Sequence, residues 1–168
     1  MLKKIYAMLK PGGFAYVETV NKMSLKNNTS DIHFQLFGLN LVDNCRAAQM
    51  YKQLTGSPFY GVSEFYPLEW YANVVKRLHG AQLTLINSDQ DFDYRMDLVA
   101  AFEKFAAWEE SDGKVIDKFL LDSVKIEFFR YMNFYFSKLE KYQSLNDMDA
   151  FHNIFSDPVV RFVMYKSL

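Results

Sequence analysis

Few residues of this 168-residue chain stand at spacings that could support nucleophilic or metal chemistry. The only cysteine, Cys45, has no candidate base near it in sequence, and His33, His79 and His152 lie far apart. A nucleophile needs a base within hydrogen-bond reach, and two metal ligands three or four residues apart share one helix face. No histidine has a second histidine or cysteine at that spacing. The sequence therefore predicts no catalytic constellation and no metal site.

The glycines are placed unfavourably for binding a nucleotide. In dinucleotide-type folds a glycine-rich turn follows a strand, so that backbone N–H groups and a helix N-terminus approach the ligand. Here the Gly12-Gly13 pair follows a helical pattern and precedes a strand, which is the opposite end. We therefore predict no cofactor-binding residue in this chain.

Polar residues end the first predicted strand, and they are the first candidates for ligand contact. Glu18, Thr19 and Asn21 stand where the strand runs out. Because the carboxyl ends of strands in open α/β sheets face the ligand crevice, Glu18 and Asn21 are predicted to contact a substrate. A strand that simply continues into a polar loop is the alternative interpretation.

Aromatic residues make up 17% of the chain, with 16 Phe and 11 Tyr. Each aromatic side chain buries about 150–250 Å², more in sum than a three-stranded core needs, so some should line a pocket or an interface. Tyr60, Trp70 and Trp108 are the aromatic candidates for a substrate pocket. Arg130 and Tyr131 add polar groups to an aromatic helix and could orient a carboxylate or hydroxyl acceptor. Core packing and a solvated helix face remain the alternatives.

Charge and hydropathy exclude several classes of partner. The formal charge of −1 comes from 19 basic and 20 acidic residues without a basic stripe, so nucleic acid is not expected as a partner. No apolar run approaches the length of about 18 residues that a membrane span needs. The apolar run at 5–9 is too short for a signal peptide, and a lone cysteine favours a reducing compartment. We predict a cytoplasmic protein with no membrane partner.

Hydrophobic periodicity in the first half predicts a helix, a strand and a second helix. Apolar residues three and four apart at 2–9 indicate a helix that Pro11 ends. Residues 14–20 are mostly apolar on both faces, which is typical of a strand covered by helices on both sides. Residues 21–40 are polar and predicted to be irregular. A helix is expected from about 42 to 54.

The second half is predicted to be mostly helical. In chain order the expected elements are a helix from Pro67, a strand at 81–87, a long helical stretch from about 94 to 142 broken near 111–113, and a strand at 159–165. At this length one domain is expected, burying roughly 70% of the surface of the unfolded chain. Its predicted parts are an αβ core at 1–93, a helical insertion or lid at 94–145 and a terminal strand region at 146–168.

Two motifs and the order of elements carry a resemblance to a known family. The Leu-x-Pro-Gly-Gly turn at 9–13 resembles the segment that leads into the fifth strand of class I S-adenosylmethionine-dependent methyltransferases. The sequence Tyr-Pro-Leu-Glu-Trp-Tyr at 66–71 opens the next helix. The helical insertion before the last strand is similar to that of the trans-aconitate methyltransferase-like, small-molecule group. The resemblance extends over nearly the whole chain.

The resemblance implies a partial Rossmann-like α/β fold. Its three-stranded mixed sheet would hold strand 159–165, running antiparallel, between 14–20 and 81–87, with flanking helices and the long insertion over the acceptor. The family's S-adenosylmethionine would be held by an N-terminal half that precedes these elements. The expected function is therefore the substrate-side half of a small-molecule methyltransferase, not catalytically competent alone. A non-catalytic small-ligand-binding or protein-assembly module is the alternative.

The strand predicted at 14–20 also indicates a partner chain. In the resembling fold it pairs with a fourth strand that is not among the predicted elements. An exposed, apolar, seven-residue edge with no charge at its centre invites pairing with another chain. We therefore expect a homodimer, or a complementing chain, joined through the 14–20 edge.

Overall fold

The computed structural model describes residues 1–62, 65–86 and 93–168. The elements found there, in chain order, are α1 (Leu2–Met8), β1 (Phe14–Val20), α2 (Leu25–Thr29), α3 (Asn44–Thr55), α4 (Leu68–Lys76), β2 (Ala81–Ile86), α5 (Tyr94–Glu110), α6 (Lys118–Ser144), α7 (Met148–Phe155) and β3 (Val159–Lys166). A short 3₁₀ turn at Asp112–Lys114 separates α5 from α6, where a break was predicted. No described helix is both long and apolar enough to cross a membrane.

The three strands form an open sheet with β3 in the middle. Its order is β1-β3-β2, and β3 runs antiparallel to both neighbours, as predicted. β1 and β2 share a direction but are not hydrogen-bonded to each other, so the pairing is antiparallel throughout and the prediction of a mixed sheet was wrong in this respect. The predicted last residue of the second strand, 87, lies outside the described residues.

Among the residues that the structure describes, helices cover one face of the sheet and leave the other open. Val17, Phe162 and Met164 are buried on the covered face, against α1 and α4. On the other face Phe14 is 64% exposed and Tyr16 is 53% exposed. The expectation that both faces of 14–20 are covered was therefore wrong, because apolar residues on both faces of a strand do not require that both faces are buried.

The larger hydrophobic cluster lies among α3, α5, α6 and α7. The long helical stretch predicted here is confirmed, and one face of α6 is buried in the cluster, with Leu120, Val124 and Phe128 fully buried. Phe105 stacks on Phe128 with ring centroids 4.5 Å apart, and Phe37 contacts the same ring at 5.5 Å. Many of the chain's aromatic residues are therefore used in packing this cluster.

Two helices were not predicted. The segment 21–40, predicted to be irregular, contains α2, whose Asn27 and Asn28 are almost fully buried. Helix α7 occupies 148–155, in the region predicted to hold only a terminal strand. Its start is marked by Asp147, whose carboxylate accepts from the Ala150 N–H at 3.3 Å.

Candidate functional site

A groove lies just beyond the carboxyl end of β1, centred on Lys22. One part, about 430 Å³, runs along the start of α3, and another, about 360 Å³, runs along α6. We call them together the Lys22 groove. Besides Lys22, its walls are formed by Met23, Asn28, Asn40, Leu41, Val42, Asp43, Asn44, Arg46, Glu127, Arg130, Tyr131 and Phe134. A narrow pocket bordered by Tyr60 also reaches Lys22.

Asn21 fixes the backbone at the point where β1 enters this groove. Its N–H donates to the Pro158 carbonyl at 2.9 Å, which continues the pairing of β1 with β3. Its side-chain amide donates to the carbonyls of Ile154 and Asp157, at 2.9 and 2.8 Å. Its side-chain oxygen accepts from the Met23 N–H at 3.0 Å. The turn after the strand is therefore tied to the end of α7.

Side chains from α2 and α6 hold the next two residues. The Asn28 amide donates to the Lys22 carbonyl at 3.0 Å, and the Tyr131 hydroxyl donates to the Met23 carbonyl at 2.7 Å. Asn40 donates to the carbonyl of Asn27 at 2.8 Å and so ties the groove's outer wall to α2. The backbone that carries the Lys22 side chain is thus held by hydrogen bonds from two helices, which fixes where this side chain enters the groove.

The charges of the groove leave one cation available for a ligand. Arg130 Nη1 lies 2.6 Å from Glu127 Oε1, and Arg46 Nε lies 3.4 Å from Asp43 Oδ2. Lys22 forms no ion pair within the part of the chain that the structure describes. A small anion, such as a carboxylate, would find its counter-charge at the Lys22 ammonium.

The tyrosines near the groove are donors and not bases. Burial, aided by the Asp31 carboxylate, raises the pKa of Tyr60 to about 12. Burial also raises the pKa of Tyr131 well above its usual range, and its proton is engaged by the Met23 carbonyl. Both phenols are therefore neutral at physiological pH. The groove is suited to binding and orienting a molecule and not to removing a proton from it.

Three of the predicted substrate residues border the groove or its side pocket. Arg130 and Tyr131 line the part along α6, and Tyr60 lines the narrow pocket. Asn21 supports the groove from beneath, but it is fully buried and its side chain is engaged in the backbone bonds described above. Its position fits a structural role instead of direct contact with a ligand.

The other three predicted residues lie elsewhere. Glu18 is on the open face of the sheet, where it accepts from the Tyr16 hydroxyl at 2.9 Å and lies 3.4 Å from Arg161 Nε. Trp70 is on α4 and stacks on Tyr66. Trp108 is 3% exposed within the helical cluster and stacks on Phe37. The structure does not bring these three side chains to the Lys22 groove.

Sequence reasoning did not select the groove's central residue. Lys22 follows Asn21 directly, so the strand-end argument that selected Glu18 and Asn21 would have reached it had it been carried one residue further. Arg46 and Asn40 carry no such signal, because their positions depend on how segment 38–46 passes over α6. No group of three or more His, Cys, Asp or Glu side chains able to hold a metal is found among the described residues.

Comparison of the chain with models of known protein families, with curated proteins and with solved structures found no significant match. We therefore infer a function from the position of the Lys22 groove in the sheet, from its charges and from the exposed surfaces of the strands.

Proposed function

We propose that this chain is the substrate-side part of an S-adenosylmethionine-dependent small-molecule methyltransferase, and that it holds the methyl acceptor in the Lys22 groove. The observation that carries the proposal is the location of the groove at the carboxyl end of β1, in a sheet of order β1-β3-β2. Ligands of open α/β sheets bind at the carboxyl ends of strands. A complementing portion of the fold would hold S-adenosylmethionine.

The strand arrangement supports the fold-level part of the proposal. In the resembling family the fifth, seventh and sixth strands lie side by side, with the seventh antiparallel to both. β1, β3 and β2 have that order and those directions. A Rossmann-like origin for the sheet is therefore part of the proposal.

In this proposal the contribution of the chain to methyl transfer is to position the acceptor. Methyl transfer from a sulfonium can be accelerated largely by proximity and orientation, without a strong acid or base from the acceptor's side. The groove offers a cation at Lys22 and an apolar wall formed by Leu41 and Phe134. We therefore propose as acceptor a small carboxylic acid with an apolar portion, its carboxylate on the Lys22 ammonium.

The acceptor part of the proposal is tested by titration followed by NMR. We expect succinate to shift the resonances of groove residues around Lys22 and Arg130, whereas the uncharged succinamide should shift them much less. Lys22→Gln should remove the response to succinate. The matched control is Lys26→Gln, which changes a lysine that lines a different pocket and lies 3.8 Å from Asp97. Equal responses to succinate in both variants would refute the groove as an anion site.

The cofactor part is tested separately by equilibrium dialysis with S-adenosylmethionine. If a complementing portion holds the cofactor, the chain by itself should not retain it, with or without succinate. Micromolar retention by this chain alone would contradict the division of roles, even if the groove bound carboxylates as expected.

The second candidate is a non-catalytic assembly module, and the exposed β1 edge favours it. Phe14 and Tyr16 expose apolar surface on a strand that, within the described part of the chain, pairs with β3 alone. Under this proposal β1 joins the chain to another one, either a complementing chain or a second copy in a homodimer. The exposed free thiol of Cys45 is compatible with the cytoplasmic location that we propose for either function.

A further inference from the structure

The backbone groups on the outer edge of β1 can be assigned from its pairing with β3. The Asn21 N–H donates to the Pro158 carbonyl, and the Lys166 N–H donates to the Gly13 carbonyl, each at 2.9 Å. In an antiparallel pair such bonds recur at every second residue, so the odd-numbered residues of β1 bond to β3. The N–H and C=O groups of the even-numbered residues, from Phe14 to Val20, point outward. No described backbone group bonds to them.

We propose that two copies of this chain pair through these groups, β1 against β1 in antiparallel orientation, with the two-fold axis at Val17. Phe14 then lies opposite the partner's Val20, and Tyr16 lies opposite the partner's Glu18. The three strands of each copy become one continuous sheet across the interface. This pairing follows from the edge alone and is independent of the Lys22 groove.

Two features select this register, namely which residues have backbone groups that point outward and where the Glu18 carboxylate lies. The backbone groups that point outward belong to the even-numbered residues, so an even-numbered residue must lie opposite an even-numbered residue of the partner. The two-fold axis must therefore pass through a residue, and Tyr16, Val17 and Glu18 are the central choices. An axis at Glu18 would set two carboxylates opposite each other, which is destabilising. An axis at Tyr16 would leave Val20 opposite Gly12, outside the strand. Only the axis at Val17 uses all seven residues.

The side chains across the proposed interface are complementary. In the single copy the Tyr16 hydroxyl already donates to a Glu18 carboxylate oxygen at 2.9 Å, and Arg161 Nε lies 3.4 Å from that carboxylate. The carboxylate is therefore positioned on the open face, where a second phenol from the partner can also donate to it. Phe14, 64% exposed, would gain an apolar neighbour in the partner's Val20.

The same edge is where a cofactor-holding portion would add its strand, so the two occupants exclude each other. Self-pairing thus describes the chain in the absence of such a portion. A failure to dimerise would not count against the proposed acceptor groove. A failure to bind succinate would not count against the proposed pairing of β1. The two proposals can therefore be refuted separately.

The test is sedimentation velocity over a range of concentrations with two opposite substitutions at one site. With the axis at Val17, Tyr16→Lys places an ammonium opposite each partner carboxylate, and Tyr16→Glu places a carboxylate there. By symmetry each change acts twice, so we expect about 2- to 30-fold tighter dimerisation for Tyr16→Lys and a weakening of the same order for Tyr16→Glu. Circular dichroism shows whether each variant is folded. Should Tyr16→Glu not fold, Tyr16→Lys alone decides the register.

Tyr165→Lys is the matched control, because Tyr165 shares the open face and contacts Phe14 but lies on the central strand. We expect it to leave the dimerisation constant nearly unchanged. A wild-type monomer at high concentration would overturn the proposal. Weakening by both Tyr16→Lys and Tyr16→Glu would also overturn it, since a charge of either sign disrupts the other two registers. Loss of the dimer in Tyr165→Lys would point to packing of the open faces instead of the edges.

Discussion

The two hydrophobic clusters of this chain differ in how completely they are enclosed. The helical cluster has buried residues on α3, α5, α6 and α7 that pack against one another, with Phe128 and Tyr135 fully buried. The sheet cluster is covered by α1 and α4 on one face only, so Phe14 and Tyr16 remain exposed on the other. An enclosed cluster maintains the fold, whereas an exposed sheet face and an unpaired edge are available to a partner.

The largest expected contrast between the two clusters comes from removing one phenylalanine from each. Phe128→Ala deletes a ring stacked on Phe105 and should lower the free energy of unfolding by about 3–5 kcal/mol. Phe14→Ala removes an exposed ring and, in dilute protein, should change it by less than about 0.5 kcal/mol. Urea denaturation of both variants measures the difference. Similar losses would mean that the open face is enclosed.

The side chain of Asn21 ties the end of β1 to the end of α7, so we expect its removal to have the next largest effect on stability. Asn21→Ala removes the donor from the buried bond to the Asp157 carbonyl and from the partly buried bond to the Ile154 carbonyl, and a buried group left unpaired costs about 1–3 kcal/mol. The matched control is Asn153→Ala, whose amide donates to the Asp149 carbonyl at an exposed site. We expect the control to stay close to wild type in urea denaturation. If Asn21→Ala were as mild, the turn after β1 would not depend on this side chain.

A smaller effect is expected at alkaline pH. The pKa of Tyr60 is raised in the folded protein from 10.0 to about 12, so between these values the unfolded chain binds fewer protons than the folded one. Its contribution to stability is therefore complete below about pH 10 and is lost as the pH rises to about 12. Tyr60→Phe should make the loss of stability over this interval shallower. An unchanged slope in pH-dependent denaturation would contradict the shift.

The smallest effect is expected on the open face. Glu18→Gln weakens the contact with Arg161 at 3.4 Å, a partly exposed ion pair, and should cost at most about 1 kcal/mol in dilute protein. Arg161 keeps its contact with Asp157 at 3.0 Å, which limits the loss further. A larger loss of unfolding free energy in Glu18→Gln would mean that the open face contributes more to the fold than a partly exposed ion pair does.

Much of the architecture was predictable because it depends on local pattern. Apolar residues of α6 such as Leu120, Val124 and Phe128 recur with helical spacing, and Pro11 with Gly12 marks the end of α1 and the start of β1. Helix α2 was not predictable, because it is stabilised by asparagine side chains that bond to backbone distant in sequence, such as the bond from Asn27 to the Pro158 carbonyl. The exposure of one face of β1 was also not predictable, because an apolar sequence pattern does not indicate which elements pack against the strand.

The candidate site was predictable only in part. Strand-end reasoning led to Asn21, one residue before Lys22, and helix chemistry selected Arg130 and Tyr131. Trp108 was selected as an aromatic candidate for a substrate pocket, yet it lies in the interior of the helical cluster, where core packing was the alternative. Which aromatic side chains border a groove depends on how the helices pack, and that cannot be derived from residue type.

Hydrogen exchange of the β1 amides, resolved by NMR, tests most directly that the outer edge of β1 is unpaired in a single copy of the chain. In dilute protein we expect slow exchange at Ala15, Val17 and Thr19, which bond to β3, and fast exchange at Tyr16 and Glu18. At high concentration the amides of Tyr16 and Glu18 should become protected as β1 pairs with its copy. Uniform protection along β1 in dilute protein, or no change on concentration, would contradict the account.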